Sequence, residues 1–226
     1  MSVTLFPHTA VPPATGDGSE ENPYHIATLE NLDWLSQNPE IWDRHFIQTD
    51  TIHASSTSGW NDNKGWMPIG NDTIPFTGSY DGKGFLIDSL FINRQIIYQG
   101  LFGYVNGALI QNLGLEDVSY QGYHKMGGFV GLCTGHSRIE NCYSTGTISG
   151  SGLVGGIVGD LQQSYIFQCW SSADIDGTVE IAGIAGSVGI YSVIEQCYST
   201  GNIYASTQSA GGLVGNMHRN SSIANS

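Results

Sequence analysis

The side chains with the most chemical capacity in this chain are aromatics and carboxylates at repeating or paired positions. Tyr143, Trp170 and Tyr198 follow one another at intervals of 27 and 28 residues. Stacked on successive turns of a repeat, they would form a file of aromatic surface able to receive a sugar ring or an apolar protein edge. Trp60 and Trp66 flank Asn61-Asp62-Asn63, which pairs indoles for sugar stacking with oxygen ligands for calcium; both tryptophans could equally pack a cap. Asp62, Asp72 and Asp81 are the candidate calcium ligands, and each also stands beside Gly or Asn as a turn former does. No cofactor is expected, with calcium at these acids as the one weak candidate. Catalysis has weaker support, because the acids do not recur in phase and no Ser-His-Asp grouping or phosphate loop stands out.

The elements that would hold these residues are announced by glycine. Gly100-Leu101-Phe102-Gly103, Gly128-Phe129-Val130-Gly131, Gly156-Ile157-Val158-Gly159, Gly183-Ile184-Ala185-Gly186 and Gly212-Leu213-Val214-Gly215 start 28, 28, 27 and 29 residues apart. A period this steady marks units that bury their apolar faces only against their neighbours. Each unit consists of short runs rich in Ile, Val, Thr and Tyr, such as Thr147-Ile148-Ser149. None is long enough for the paired helices of a helical repeat. The expected fold is all-β, a parallel β-helix (solenoid).

Other columns run in register with the glycines. Ile110, Ile139, Ile166, Ile194 and Ile223 share one phase, and two residues on stand Asn112, Asn141, Gln168, Gln196 and Asn225. In a parallel solenoid like residues pile up about 4.8 Å apart, and stacked amides can each donate to one neighbour and accept from the other. The next phase holds Leu113, Cys142, Cys169 and Cys197. A column that accepts leucine or cysteine belongs inside, and with the amides at a corner the aromatics one residue further on face outward. Strict alternation from the isoleucines, without a corner, would put them inside. Coil spacing exceeds the Cβ separation of about 3.8 Å that a disulfide favours, and a straight file of thiols cannot close a tetrahedron around zinc. The three cysteines are therefore expected to be reduced core residues, with Cys133 outside their file.

Composition narrows the functional classes. Acids outnumber bases 20 to 7, for a formal charge of −13, which excludes the basic footprint that nucleic acid demands and disfavours anionic membrane surfaces. No apolar run approaches the roughly 18 residues of a membrane span, so no membrane insertion is expected. Residues 1–14 lack a basic segment followed by an apolar one, so no signal peptide is read there. Thr28, Asn31 and the apolar Leu29, Leu32, Trp34 and Leu35 predict one short helix ending near Asn38-Pro39. It would cap the first coil, giving residues 1–44 as cap and 45–226 as solenoid. Ile223 and Asn225 are in phase with their columns, so further coils are expected beyond Ser226.

The glycine tetrads, the phrases Ile139-Glu140-Asn141-Cys142-Tyr143-Ser144-Thr145-Gly146 and Ile194-Glu195-Gln196-Cys197-Tyr198-Ser199-Thr200-Gly201, and the Gly78 to Gly84 turn together resemble the GLUG-motif repeat proteins of bacteria. That resemblance covers roughly residues 15–226. It implies a right-handed parallel β-helix on secreted or cell-surface, adhesin-like proteins. Some relatives carry the repeat upstream of a zinc peptidase that attacks immunoglobulin A. Such a peptidase needs a His-Glu-x-x-His helix, and none of the seven histidines begins one. The expected function is a non-catalytic module that binds an extracellular glycan, or a host or cell-surface protein, on a sheet face. The alternatives are a fragment of a carbohydrate-active enzyme (polysaccharide lyase or hydrolase) and a structural spacer.

Overall fold

The computed structural model describes residues 8–207 and 209–226. Its strands form three sheets, the first running from Tyr24 to Ala224, and all their strand pairings are parallel. The first sheet has eight strands in chain order, namely Tyr24–Ile26, His45–Gln48, Ser79–Asp81, Leu109–Gln111, Arg138–Glu140, Tyr165–Phe167, Val193–Glu195 and Ser222–Ala224. The third has five, from Phe102–Asn106 through Val130–Thr134, Val158–Leu161 and Ala185–Val188 to Val214–Met217. Between them in each coil lies the second sheet, whose longest strands are Gly114–Gly127 and Tyr143–Gly155. Residues about 28 apart do lie over one another: Ile110, Ile139, Ile166, Ile194 and Ile223 are consecutive register partners.

The isoleucine column extends further back than the glycine period suggests. Tyr24, Phe46 and Tyr80 occupy its phase in the earlier coils. The strand Tyr24–Ile26 pairs with His45–Gln48, so the ladder begins inside the stretch expected to be cap alone. The predicted helix is present as Leu29–Gln37, with Thr28 as N-cap accepting from the Asn31 amide. It stands between the first two strands of the ladder, and it lays Leu29, Leu32 and Leu35 on the same core. No described helix is long and apolar enough to cross a membrane.

Each corner is a column of left-handed residues. Asn112, Asn141, Gln168, Gln196 and Asn225 have φ of 53°, 52°, 52°, 54° and 54°, where asparagine is tolerated better than most residues. Their backbone N–H groups reach the next coil, as Asn141 N donates to Phe167 O at 3.0 Å and Gln168 N to Glu195 O at 3.0 Å. The side chains form the expected ladder in part. Asn141 donates to Asn112 at 3.2 Å, Asn112 to Asp81 at 3.0 Å and Gln168 to Gln196 at 2.8 Å.

The tetrad glycines mark the places where backbones touch. A Cβ on Gly156 would lie 2.2 Å from the carbonyl oxygen of Gly183 in the next coil and 2.2 Å from Ser171 Oγ. On Gly183 it would meet Ser199 Oγ at 2.0 Å and the Gly212 carbonyl oxygen at 2.5 Å. The last glycines of the tetrads do the same against the corner of the preceding coil, where a Cβ on Gly159 would approach the Lys125 carbonyl carbon to 2.6 Å. Ser144, Ser171 and Ser199 form the in-register file that the first glycines face, and Ser144 Oγ donates to Gly156 O at 2.7 Å.

Candidate functional site

The outer face of the second sheet collects the residues with recognition chemistry. Gly114, Tyr143, Trp170 and Tyr198 are register partners there, while Cys142, Cys169 and Cys197 are buried one residue earlier. The corner at the amide column is what turns the aromatics outward. All four cysteines are free thiols. Burial pushes the Cys133 thiol up to about 12. Hydrogen bonding to Cys169, then burial, raises Cys197, and burial followed by Cys142 raises Cys169. These thiols are packing groups.

The aromatic file is a ridge of stacked rings. Tyr143 and Trp170 stack with centroids 4.5 Å apart and planes 2° apart, and Trp170 and Tyr198 at 5.9 Å and 5°. Coil spacing is close to ring-stacking distance, so each ring covers its neighbour's face and the edges point to solvent. Gly114 is the seat of the stack, since a Cβ there would lie 2.5 Å from Tyr143 Cζ. The Tyr143 hydroxyl donates to Glu116 Oε1 at 2.6 Å. Burial first and Glu116 second push its pKa up to about 12. Tyr198, last in the file, is 52% exposed.

The other sequence candidates separate. Trp66 is fully buried and donates through Nε1 to Leu101 O at 3.1 Å. Trp60 is half-buried, with the His8 ring stacked on it at 3.9 Å and 9°. The pair is thus a packing unit and not an exposed sugar platform, because both lie against the core that the early coils share. Asn61, Asp62 and Asn63 are three successive left-handed residues, with φ of 53°, 58° and 60°. That backbone accounts for their residue types. Asp81 accepts from Gln111 and Asn112 and pairs with Lys83 at 3.0 Å. Burial raises its carboxyl, and the hydrogen bonds from Asn112, Lys83 and Gln111 outweigh this and hold it below its ordinary value. Among the described residues, Asp62, Asp72 and Asp81 do not converge, and no three His, Cys, Asp or Glu side chains gather where a metal ion could sit.

Two features escape a reading by motif. At the corner between the second and third sheets, Lys125 Nζ pairs with the nearly buried Asp160 at 2.8 Å, and Gln162 donates to the other Asp160 oxygen at 2.6 Å. Next to this corner a polar trough crosses the second sheet over Gln121, Ser149 and Asp176. These three residues share one phase and not one residue type, so aligning the repeats by phase is the only sequence signal that brings them together.

Parallel coils, cornered by left-handed amides and spaced by paired glycines, define a β-helix repeat protein. The model of the GLUG motif matches residues 122–149. Halomucin of Haloquadratum walsbyi is 38% identical over 154 residues, covering 64% of this chain and 2% of halomucin. The immunoglobulin A1 protease of Streptococcus sanguinis is 27% identical over 168 residues, covering 70% of this chain and 9% of the protease. The crystal structure of a protein from Bacteroides ovatus, described as a "putative immunoglobulin A1 protease", superposes with a TM-score of 0.78 at 25% identity, over 96% of this chain and 70% of that one. The chain is a parallel β-helix that carries a GLUG motif, and it spans a small fraction of the length of the curated relatives it matches.

Proposed function

We propose that this β-helix is a non-catalytic, adhesin-like module of a secreted or cell-surface protein, and that the outer face of its second sheet binds an extracellular glycan or a surface protein. The observation that carries this reading is the in-register file of Tyr143, Trp170 and Tyr198 on that face. It is a rigid aromatic ridge outside the core, where three polar side chains would have served solubility better. The acidic balance of the chain agrees with a ligand other than nucleic acid. Its relationship to segments of halomucin and of immunoglobulin A1 proteases supports an extracellular setting.

The face-to-face stacking favours a second reading, in which the ridge only stiffens a spacer. A glycan array paired with a reducing-sugar assay separates the readings. Binding without turnover supports the module. Turnover abolished by an acidic-residue substitution would point to a carbohydrate-active enzyme. An array and a cell-surface protein panel that both stay blank leave the spacer. The substitutions Tyr143→Ala, Trp170→Ala and Tyr198→Ala together test the ridge, and unchanged binding in a folded triple variant refutes its role.

A further inference from the structure

We infer that the polar trough across the second sheet is a subsite for an uncharged polysaccharide strand, an assignment that rests on the module reading above and names its ligand class. The trough encloses about 410 Å³. Gln121, Ser149, Asp176 and Tyr204 are register partners on successive coils, so the recognition groups form a row along the solenoid axis. Each coil adds about 4.8 Å, comparable to the advance of one pyranose in an extended chain.

The lining decides the ligand. Among the described residues it consists of amides, hydroxyls, glycine backbone and one carboxylate, with no aliphatic or aromatic side chain and no Lys, Arg or His. An apolar peptide would find no apolar floor. A sulfated or uronate polymer would meet Asp176 in a protein of charge −13 with no cation to receive it. Sugar hydroxyls both donate and accept, and they match a row of amide, hydroxyl and carboxylate. Gln121 and Asp176 are exposed. Ser149 and Ser206 donate to backbone carbonyls, those of Tyr120 at 3.4 Å and Gly177 at 3.2 Å.

Two tyrosines outside the stacked ridge bracket this row. Tyr123 follows the lining residue Gly122 and is 50% exposed, and Tyr204 is 60% exposed in register beside Asp176. The Tyr123 ring is tilted 47° from its neighbour His124 at 6.0 Å, so its faces are not closed by stacking. The Tyr123 ring offers a pyranose an open face, beside a ridge where Tyr143 and Trp170 present their edges.

The test uses isothermal titration of the whole chain with soluble dextran, xylan, glucomannan and chitin oligosaccharides, and with polygalacturonate as the charged comparison. The expected result is binding of at least one neutral glycan and none of polygalacturonate. Affinity should fall about tenfold in Tyr204→Ala and in Gln121→Ala with Asp176→Ala. Tyr165→Ala, exposed on the first sheet, should leave it unchanged. Failure of every neutral glycan to bind, preference for polygalacturonate, or full affinity in the trough variants overturns the assignment. Affinity lost in Trp170→Ala and kept in the trough variants also overturns it, while leaving the module reading standing. Far-UV circular dichroism confirms that these surface variants are folded.

Discussion

Replacing Gly156 by alanine tests whether the glycine tetrads exist to let coils touch. The added methyl would lie 2.2 Å from the Gly183 carbonyl oxygen and 2.2 Å from Ser171 Oγ, more than 1 Å inside ordinary contact. Neither neighbour can yield easily. Ser171 Oγ lies 3.0 Å from Ser144 Oγ, within hydrogen-bond reach, and accepts from the Ala173 amide at 3.2 Å. The Gly183 carbonyl belongs to a coil held by its own ladder, with Gly183 N donating to Gly212 O at 3.2 Å. Overpacking of this kind costs about 1–3 kcal/mol, and displacing the backbone also weakens the bond from Gly128 N to Gly156 O, 3.1 Å long, by up to about 1 kcal/mol. The expected loss is about 3 kcal/mol, or roughly 6–12 °C in melting temperature for a chain of this size. Gly59, in the loop ahead of the repeats, has no described atom within 4 Å of its notional Cβ. Gly59→Ala should therefore change stability by less than about 1 kcal/mol. Urea unfolding followed by circular dichroism measures both. Equal midpoints for Gly156→Ala and wild type, or an equal loss in Gly59→Ala, would refute the reasoning.

Three further outcomes can be checked. The depressed Asp81 carboxyl adds stability that is complete above its unfolded value near 4 and is lost as pH falls through the lower folded value; Asp81→Asn should flatten the acid limb of the stability profile, and an unchanged limb would count against the ladder. Tyr143, pushed up to about 12 by burial and Glu116, adds stability present below the ordinary tyrosine range near 10 and lost as pH rises through about 12. Absorbance titration should show a late-ionising phenol that disappears in Tyr143→Phe, and the absence of that step would contradict the Glu116 contact. The four buried thiols should resist a disulfide reagent at pH 8 until denaturant is added, and rapid labelling of the native chain would show that the file is open.

Much of the architecture is legible in the sequence because a parallel solenoid converts phase into position. Ile139, Ile166 and Ile194 pile up as their spacing predicts, and the amides take the corner because short polar side chains tolerate left-handed backbone. The N-terminal coils were harder to read. Tyr24, Phe46 and Tyr80 continue the isoleucine column, but the chain between them carries a helix and loops of unequal length that break the period.

Sequence alone determined the stacking, which depends on residue spacing, and it put the aromatics outside only if the amides form a corner, which the tertiary structure supplies. Tertiary structure alone decided which ring faces are open, that Trp66 is a core residue, and that Gln121, Ser149 and Asp176 share a trough. Those outcomes depend on what covers each side chain, and a covering neighbour one coil away is set by packing in space and not by any single stretch of chain.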